Sequence, residues 1–306
     1  MGLDMNGVRF MLHAFNNGVD FTRSATIGRQ NLALSPYIFK KSLEEFGYSS
    51  SDFATDHIFK SEDGFADSFF KSIGADSVES YDNSSYENAT HIHDMNEPLP
   101  EHLKEKYSMV FDGGSLEHVF NFPVGIKNCM EMVEVGGYFL GSTPANNYLG
   151  HGFYQFSPEL YYSIFTKENG FELESMIAYI PGQKAWFSVA SPKSVQGRVY
   201  LDNSNPVYLM IKAKRISKKN IFETSPQQSD YAHIWDCAET GEDYAPVPSL
   251  KRKIITWLKM QIPQHWKPYI KRVIRPFNVL FDRRFFTPMN PTTSSPNATI
   301  QSNFDK

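Results

Sequence analysis

Residues 107–144 read YSMVFDGGSLEHVFNFPVGIKNCMEMVEVGGYFLGSTP. An apolar run of strand length stops at Asp112, Gly113 and Gly114, and Val124, Ile126, Met130 and Val133 then recur at helical spacing. Gly136 and Gly137 are expected to end that helix, after which YFLGSTP starts a second apolar strand. Strand, helix, strand with both strands apolar throughout is the pattern of a parallel pair buried on both faces.

The same alternation extends in both directions. Upstream, the run from Phe21 ends at Gly28, and SPYIFKKSLEEFG has helical spacing closed by Gly47. A polar connection over Tyr48–Asp63 leads to a short helical pattern in GFADSFFKSIG, and DSVESYD is a strand ending on Asp82. ENATHIHDMN supplies another short strand ending near Asp94, and PLPEHLKEKY a polar helix or turn. Downstream, SPELYYSIFTKENG is a helix with Ser157 at its N-cap and Pro158 at N1. FELESMIAYI and PVYLMIKAKR then read as a final antiparallel pair. Repeated units of this kind predict a doubly wound α/β fold with a mostly parallel seven-stranded sheet over residues 1–215. Residues 216–249 read as a linker, 250–285 as a basic helical extension and 286–306 as a disordered tail.

The balance of 41% hydrophobic and 21% charged residues is that of an ordinary globular chain. Two distant cysteines, Cys129 and Cys237, support neither a disulfide framework nor a cysteine zinc site, and no metal is expected. The first twenty residues lack the basic and apolar regions of a secretory signal, and no apolar run is long enough to span a membrane, so a cytoplasmic location is expected. Charge is segregated. Residues 250–285 carry ten lysines and arginines against the single acid Asp282, whereas residues 1–249 sum to −13 within a net charge of −4. There Trp266, Tyr269, Ile270, Val273, Ile274 and Phe277 fall on one helical face among basic residues. This pattern suits either an anionic membrane surface or packing on the chain's own domain. Nucleic acid is not expected, because no recognition motif accompanies the charge.

In an open α/β sheet the ligand sits outside the carboxyl ends of the strands, where strand order reverses. Gly28, Asp82, Asp94 and the Asp112, Gly113, Gly114 turn occupy those ends. A strand-end acid suits the two hydroxyls of a ribose, although strand-end acids also serve simply as turn residues. The segment STPANNYLGHGFYQFSP strings Asn146, Asn147, His151, Tyr154 and Gln155 among glycines and rings, a mixture suited to an acceptor pocket or to a long structural loop, with Phe153 and Phe156 expected in the core.

The run YDNSSYENATHIHDMNEPLPEHLKEKYSMVFDGGSLEHVFN, followed by VEVGGYFLGSTPANN, resembles the class I S-adenosylmethionine-dependent methyltransferases over residues 25–180. The resemblance implies S-adenosylmethionine as cofactor, with Asp82 on the ribose, Asp94 and Met95 near the adenine, Gly28 in the first loop, and Asp112, Gly113 and Gly114 along the methionine side. It also implies a small-molecule or glycan-type acceptor, with O-methylation ahead of N-methylation. Methyl transfer needs alignment above all, and a base only where the nucleophile carries a proton to be lost. The catalytic candidates are His118, His151 and Tyr154, with Glu117 expected to support a helix start. The chain departs from the family at the first loop, where TIGRQN replaces a glycine-rich sequence and Arg29 stands where a small residue is expected. Fifty-four positions separate Gly28 from Asp82, so an insertion is expected between them. The alternative reading is a methyltransferase-type fold that has lost its cofactor and serves as an interaction module.

Overall fold

The computed structural model describes residues 2–53, 55–59, 64–195, 197–201, 203–240, 261–267, 269 and 282–293. The chain opens with β1 (Gly2–Leu3), α1 (Met5–Asn16), β2 (Arg23–Ile27) and β3 (Asn31–Leu32). Three helices follow, α2 (Pro36–Glu45), α3 (Thr55–Ile58) and α4 (Asp67–Ser72), and these fill the insertion expected between Gly28 and Asp82. Next come β4 (Ser77–Asp82), β5 (His91–Ile92), β6 (Tyr107–Asp112), α5 (Phe122–Met132) and β7 (Val133–Asn146). The remainder comprises α6 (Pro158–Ile164), β8 (Phe171–Tyr179), β9 (Trp186–Val189), β10 (Val207–Arg215), α7 (Ser229–Thr240) and β11 (Phe286–Met289).

The large sheet runs β11-β9-β8-β10-β7-β6-β2-β4-β5. Strands β5, β4, β2, β6 and β7 are mutually parallel, and β10 enters antiparallel between β7 and β8. These seven form the doubly wound sheet expected from the sequence, and β9 and β11 extend it to nine among the described residues. Helices cover both faces. Phe10, Phe39, Leu43 and Phe69 pack on one side with Met109 and Leu140, while Phe122, Ile126, Met130 and Tyr161 pack on the other with Val110 and Phe139.

Four local expectations need correction. The helix after β6 ends at Met132 rather than at Gly136, because β-branched Val133 and Val135 carry the chain straight into β7. A Cβ on Gly137 would stand 2.7 Å from the Ser108 carbonyl, so that glycine serves close strand approach and does not cap a helix. Ser157 precedes α6 as expected but makes no side-chain capping bond. Part of the expected tail is ordered instead, since β11 pairs antiparallel with β9 and buries Phe286.

Within residues 216–249, Ile221 is buried in the core and α7 is helical. Most of the basic segment 250–285 lies outside the described residues, although Trp266 and Tyr269 are described and exposed. Residues 294–306 also lie outside. Among the described residues no helix is long and apolar enough to cross a membrane.

Candidate functional site

Strand order reverses between β2 and β6, so the switch point lies at the carboxyl ends of these two strands. Ile27 and Asp112 are register partners there, which places Gly28 beside the turn carrying Gly113 and Gly114. Gly28 has φ +68° and donates its N–H to the Tyr81 carbonyl at 2.7 Å, which ties the first loop to β4. Asp82 ends β4 opposite Ile92 of β5, and its Oδ1 accepts from the Ser84 amide at 3.1 Å. Asp94 Oδ1 accepts from both the backbone amide and the side-chain amide of Asn96, and these bonds hold its carboxyl below the usual range. Its neighbour Met95 is buried in the core. The sheet thus brings Gly28, Asp82, Asp94 and the Asp112 turn to one edge.

The TIGRQN loop differs from its sequence reading. Arg29 is committed to the side, its guanidinium on Asp67 at 2.8 Å, over the Phe65 ring and against the Glu87 carbonyl. Gln30 is the residue that enters. It is buried, its Nε2 donates to the carbonyls of Ile27 and Gly28, and its Oε1 has no hydrogen-bond partner. A Cβ on Gly113 would lie 2.2 Å from that Oε1, so a larger residue there would displace the Gln30 side chain from this position. Nothing in the sequence marked Gln30.

Asp112 is buried and accepts from the Ser115 amide at 2.8 Å and the Leu116 amide at 3.3 Å, so it shapes the turn after β6. Glu117 follows in a short 3-10 turn (Leu116–His118), away from the start of α5, so the helix-start role expected for it is replaced by another. Its carboxyl is wholly buried and neither oxygen is hydrogen-bonded. Burial pushes both acids up in pKa, and Glu117 is raised further by Asp112.

The loop after β7 folds over Glu117. Phe153 and Tyr154 donate their amides to the Glu117 carbonyl at 2.7 and 3.3 Å. Gly152 has φ +69°, and a Cβ there would come within 2.7 Å of the same carbonyl. The fold of the loop places His151 Nε2 3.3 Å from Glu117 Oε1, within ion-pair range but not aligned as a hydrogen bond. His118 and His151 meet edge to face at 5.1 Å, and burial followed by repulsion from His151 lowers the His118 pKa.

The other polar residues of this loop make hydrogen bonds within the chain. Tyr154 donates its hydroxyl to the Phe120 carbonyl at 2.6 Å and packs on Phe156. Asn146 and Asn147 bond to Asn203, and Gln155 accepts from the Tyr148 amide. Phe156 is buried as expected, but Phe153 is 65% exposed and pairs with exposed Phe120, because Gly152 turns it outward.

No family model matches the chain, and no curated protein matches it. Among solved structures it is similar to a protein from Listeria monocytogenes described as a candidate S-adenosylmethionine-dependent methyltransferase, at 14% identity over 69% of this chain and 99% of that one, with a TM-score of 0.38. It is also similar to an S-adenosylmethionine-dependent methyltransferase from Mesorhizobium loti, at 14% identity over 69% and 100%, with a TM-score of 0.37. A further likeness is to an rRNA methylase from Streptococcus thermophilus, at 10% identity over 68% and 96%, with a TM-score of 0.32. Likenesses this distant assign no residue a role, so the side chains of this chain carry the functional argument themselves.

Proposed function

We propose that the chain is an S-adenosylmethionine-dependent methyltransferase acting on a small-molecule or glycan-type acceptor, with a hydroxyl favoured over an amine. The observation that carries this reading is the convergence of Asp82, Asp94, the Asp112 turn and the unpaired Gln30 Oε1 at the switch point of the sheet. These residues fit the cofactor. Asp82 accepts from the ribose hydroxyls, Asp94 and the backbone at Met95 flank the adenine, and Gly28, Gly113 and Gly114 allow close backbone approach. The buried, unpaired Gln30 Oε1 is an acceptor suited to an ammonium group on the methionine side.

When bound, the cofactor supplies an electrophilic methyl on a sulfonium. The work of the protein is then to align the acceptor oxygen in line with that methyl and to take up the proton it loses. His151 and His118 stand beside the Asp112 turn for that task, and the exposed rings of Phe120 and Phe153 offer the acceptor an apolar platform. Tyr154 contributes by holding the loop through Phe120. The basic segment 250–285 is proposed to meet an anionic membrane surface at which the acceptor is presented.

A second reading is favoured by one feature, the Gln30 side chain seated on Gly113 where the family has a glycine-rich loop. On that reading the fold serves as an interaction module without cofactor. Isothermal titration with S-adenosylmethionine and with S-adenosylhomocysteine separates the two. Saturable one-to-one binding in the micromolar range is expected, and absence of heat at millimolar ligand removes the enzymatic reading.

A further inference from the structure

We infer that Glu117, His118 and His151 form a binding site for one divalent transition-metal ion, with coordination left over for water or an acceptor oxygen. Cysteines gave no metal signal in the sequence, but this cluster is of another kind, two imidazoles and a carboxylate brought together by a loop. One ligand atom from each of the three residues lies within 4.8 Å of the others.

The Glu117 carboxylate carries the argument. It is 0% exposed and both of its oxygens lack a hydrogen-bond partner. Buried carboxylates are normally paired, hydrogen-bonded or coordinated to a metal. The charged side chain paired with it is His151, whose Nε2 stands 3.3 Å from Oε1 and is misaligned for a hydrogen bond. That spacing suits two ligands of one ion, since bonds of about 2.0–2.2 Å at tetrahedral angles put ligand atoms roughly 3.4 Å apart.

The remaining distance closes through the histidines. Atoms bound to one ion stand no more than about 4.2 Å apart, twice the bond length, so the widest separation shortens on loading. Glu117 is fixed in the interior, whereas the His118 side chain is exposed and that of His151 is 41% exposed, so the rings are the parts free to turn. The approach of His151 is already built. Phe153 and Tyr154 clip its loop to the carbonyl of Glu117 itself, and Gly152 permits the close contact. One ligand therefore fastens the strand of chain that delivers another.

The ligand set also indicates the ion. Two imidazoles and one carboxylate suit zinc, manganese or iron, and disfavour magnesium and calcium, which prefer oxygen ligands. Three protein ligands leave an open position, as in catalytic sites. An acceptor oxygen bound there would be acidified by the ion and would release its proton to solvent, so in a loaded site the two histidines act as ligands in place of the general-base role proposed above.

Metal binding does not rest on the methyl-transfer reading, since it requires neither cofactor nor acceptor. The test is isothermal titration of chelator-stripped full-length protein, without a polyhistidine tag, with Zn²⁺, Mn²⁺ and Mg²⁺. One equivalent of Zn²⁺ or Mn²⁺ is expected to bind with a micromolar or tighter Kd, and Mg²⁺ to give no heat. His118→Ala and Glu117→Gln are expected to weaken binding at least tenfold, and His151→Ala at least a hundredfold, while His102→Ala, on an exposed turn, leaves it unchanged. Circular dichroism confirms that each variant is folded. No binding below millimolar metal, equal binding of Mg²⁺, or equal Kd values for wild type and the folded cluster variants overturns the assignment. Cobalt substitution gives a second readout, because visible absorption that is lost in His151→Ala requires the imidazole on the metal. Retained metal binding without S-adenosylmethionine binding would overturn the proposed function and leave this site standing.

Discussion

Replacing Glu79 by Gln should lower stability by about 2 kcal/mol at neutral pH, through the loss of one charge on β4. The Glu79 carboxylate accepts from Lys106 Nζ at 2.7 Å and from the Tyr107 hydroxyl, and His91 Nε2 lies 2.6 Å away. Since Tyr107 donates to Glu79, Tyr81 donates to Tyr107 in turn, which links β4 and β6 above β2, and Tyr81 also stacks on His91 of β5. Asp82 and Asp112 end β4 and β6, and Asp94 lies just beyond β5. Burial alone would raise the pKa of Glu79, but the bonds from Lys106, Tyr107 and His91 outweigh it and hold it near about 2, against an ordinary value of 4.5. At about 1.4 kcal/mol per unit the difference corresponds to roughly 3 kcal/mol. The side chain is 22% exposed, so solvent screening reduces this to about 2 kcal/mol. A depressed pKa stabilises the fold above the unfolded value and ceases to do so as pH falls through the folded one. The gap between wild type and Glu79→Gln should therefore be full above about pH 5 and more than half closed by about pH 3. Urea unfolding of both proteins at pH 7, 5 and 3 measures it, with a melting difference of about 4–8 °C expected at pH 7. A gap that stays constant from pH 7 to pH 3 refutes the reasoning, because a packing defect does not titrate.

Asp82→Asn should weaken S-adenosylmethionine binding by about tenfold to a hundredfold, the worth of a charge-assisted hydrogen bond. Titration calorimetry reads it, and an unchanged Kd removes the ribose role. Gly152→Ala should cost about 2 kcal/mol, because it combines left-handed backbone strain with a Cβ 2.7 Å from the Glu117 carbonyl. Faster proteolysis within residues 147–156 than in wild type is the expected sign. Tyr154→Phe should lose about 1 kcal/mol of stability, for the bond to Phe120, while methyl transfer changes less than about threefold. A hundredfold fall in turnover would instead make the Tyr154 hydroxyl catalytic.

Strands β2, β4 and β6 were legible because each is a short run closed by a glycine or an acid, Gly28, Asp82 and Asp112, and those closing residues also marked the ligand edge. Helix α1 has a legible period, since Asn6, Arg9 and His13 recur at helical spacing, but what the sequence does not show is that this polar stripe is buried rather than turned to solvent. Their partners lie far along the chain. Asn6 Nδ2 donates to the Gln183 carbonyl at 3.0 Å, and the Arg9 guanidinium reaches the Lys184 carbonyl and Glu45 while lying over the Trp186 ring. In the site, the positions of Asp82 and Asp112 follow from strand ends, which local sequence can indicate. The burial of Glu117 depends on a loop that returns some thirty-five residues later, and the intrusion of Gln30 depends on a glycine in the turn after a neighbouring strand. Neither relation has a local signature.

Strand β11 sets an order of events during synthesis. It pairs with β9, and just beyond it the Pro291 carbonyl meets His13 Nδ1 at 2.8 Å, a contact spanning 278 residues. Helix α1 is synthesised well before β11, so it cannot complete its buried polar contacts until Pro291 has been made. Until then β9 presents a bare edge able to pair with the same strand of another nascent copy. A message truncated before Phe286 would prolong that exposure indefinitely, so such products are candidates for aggregation on the polysome rather than for partial activity.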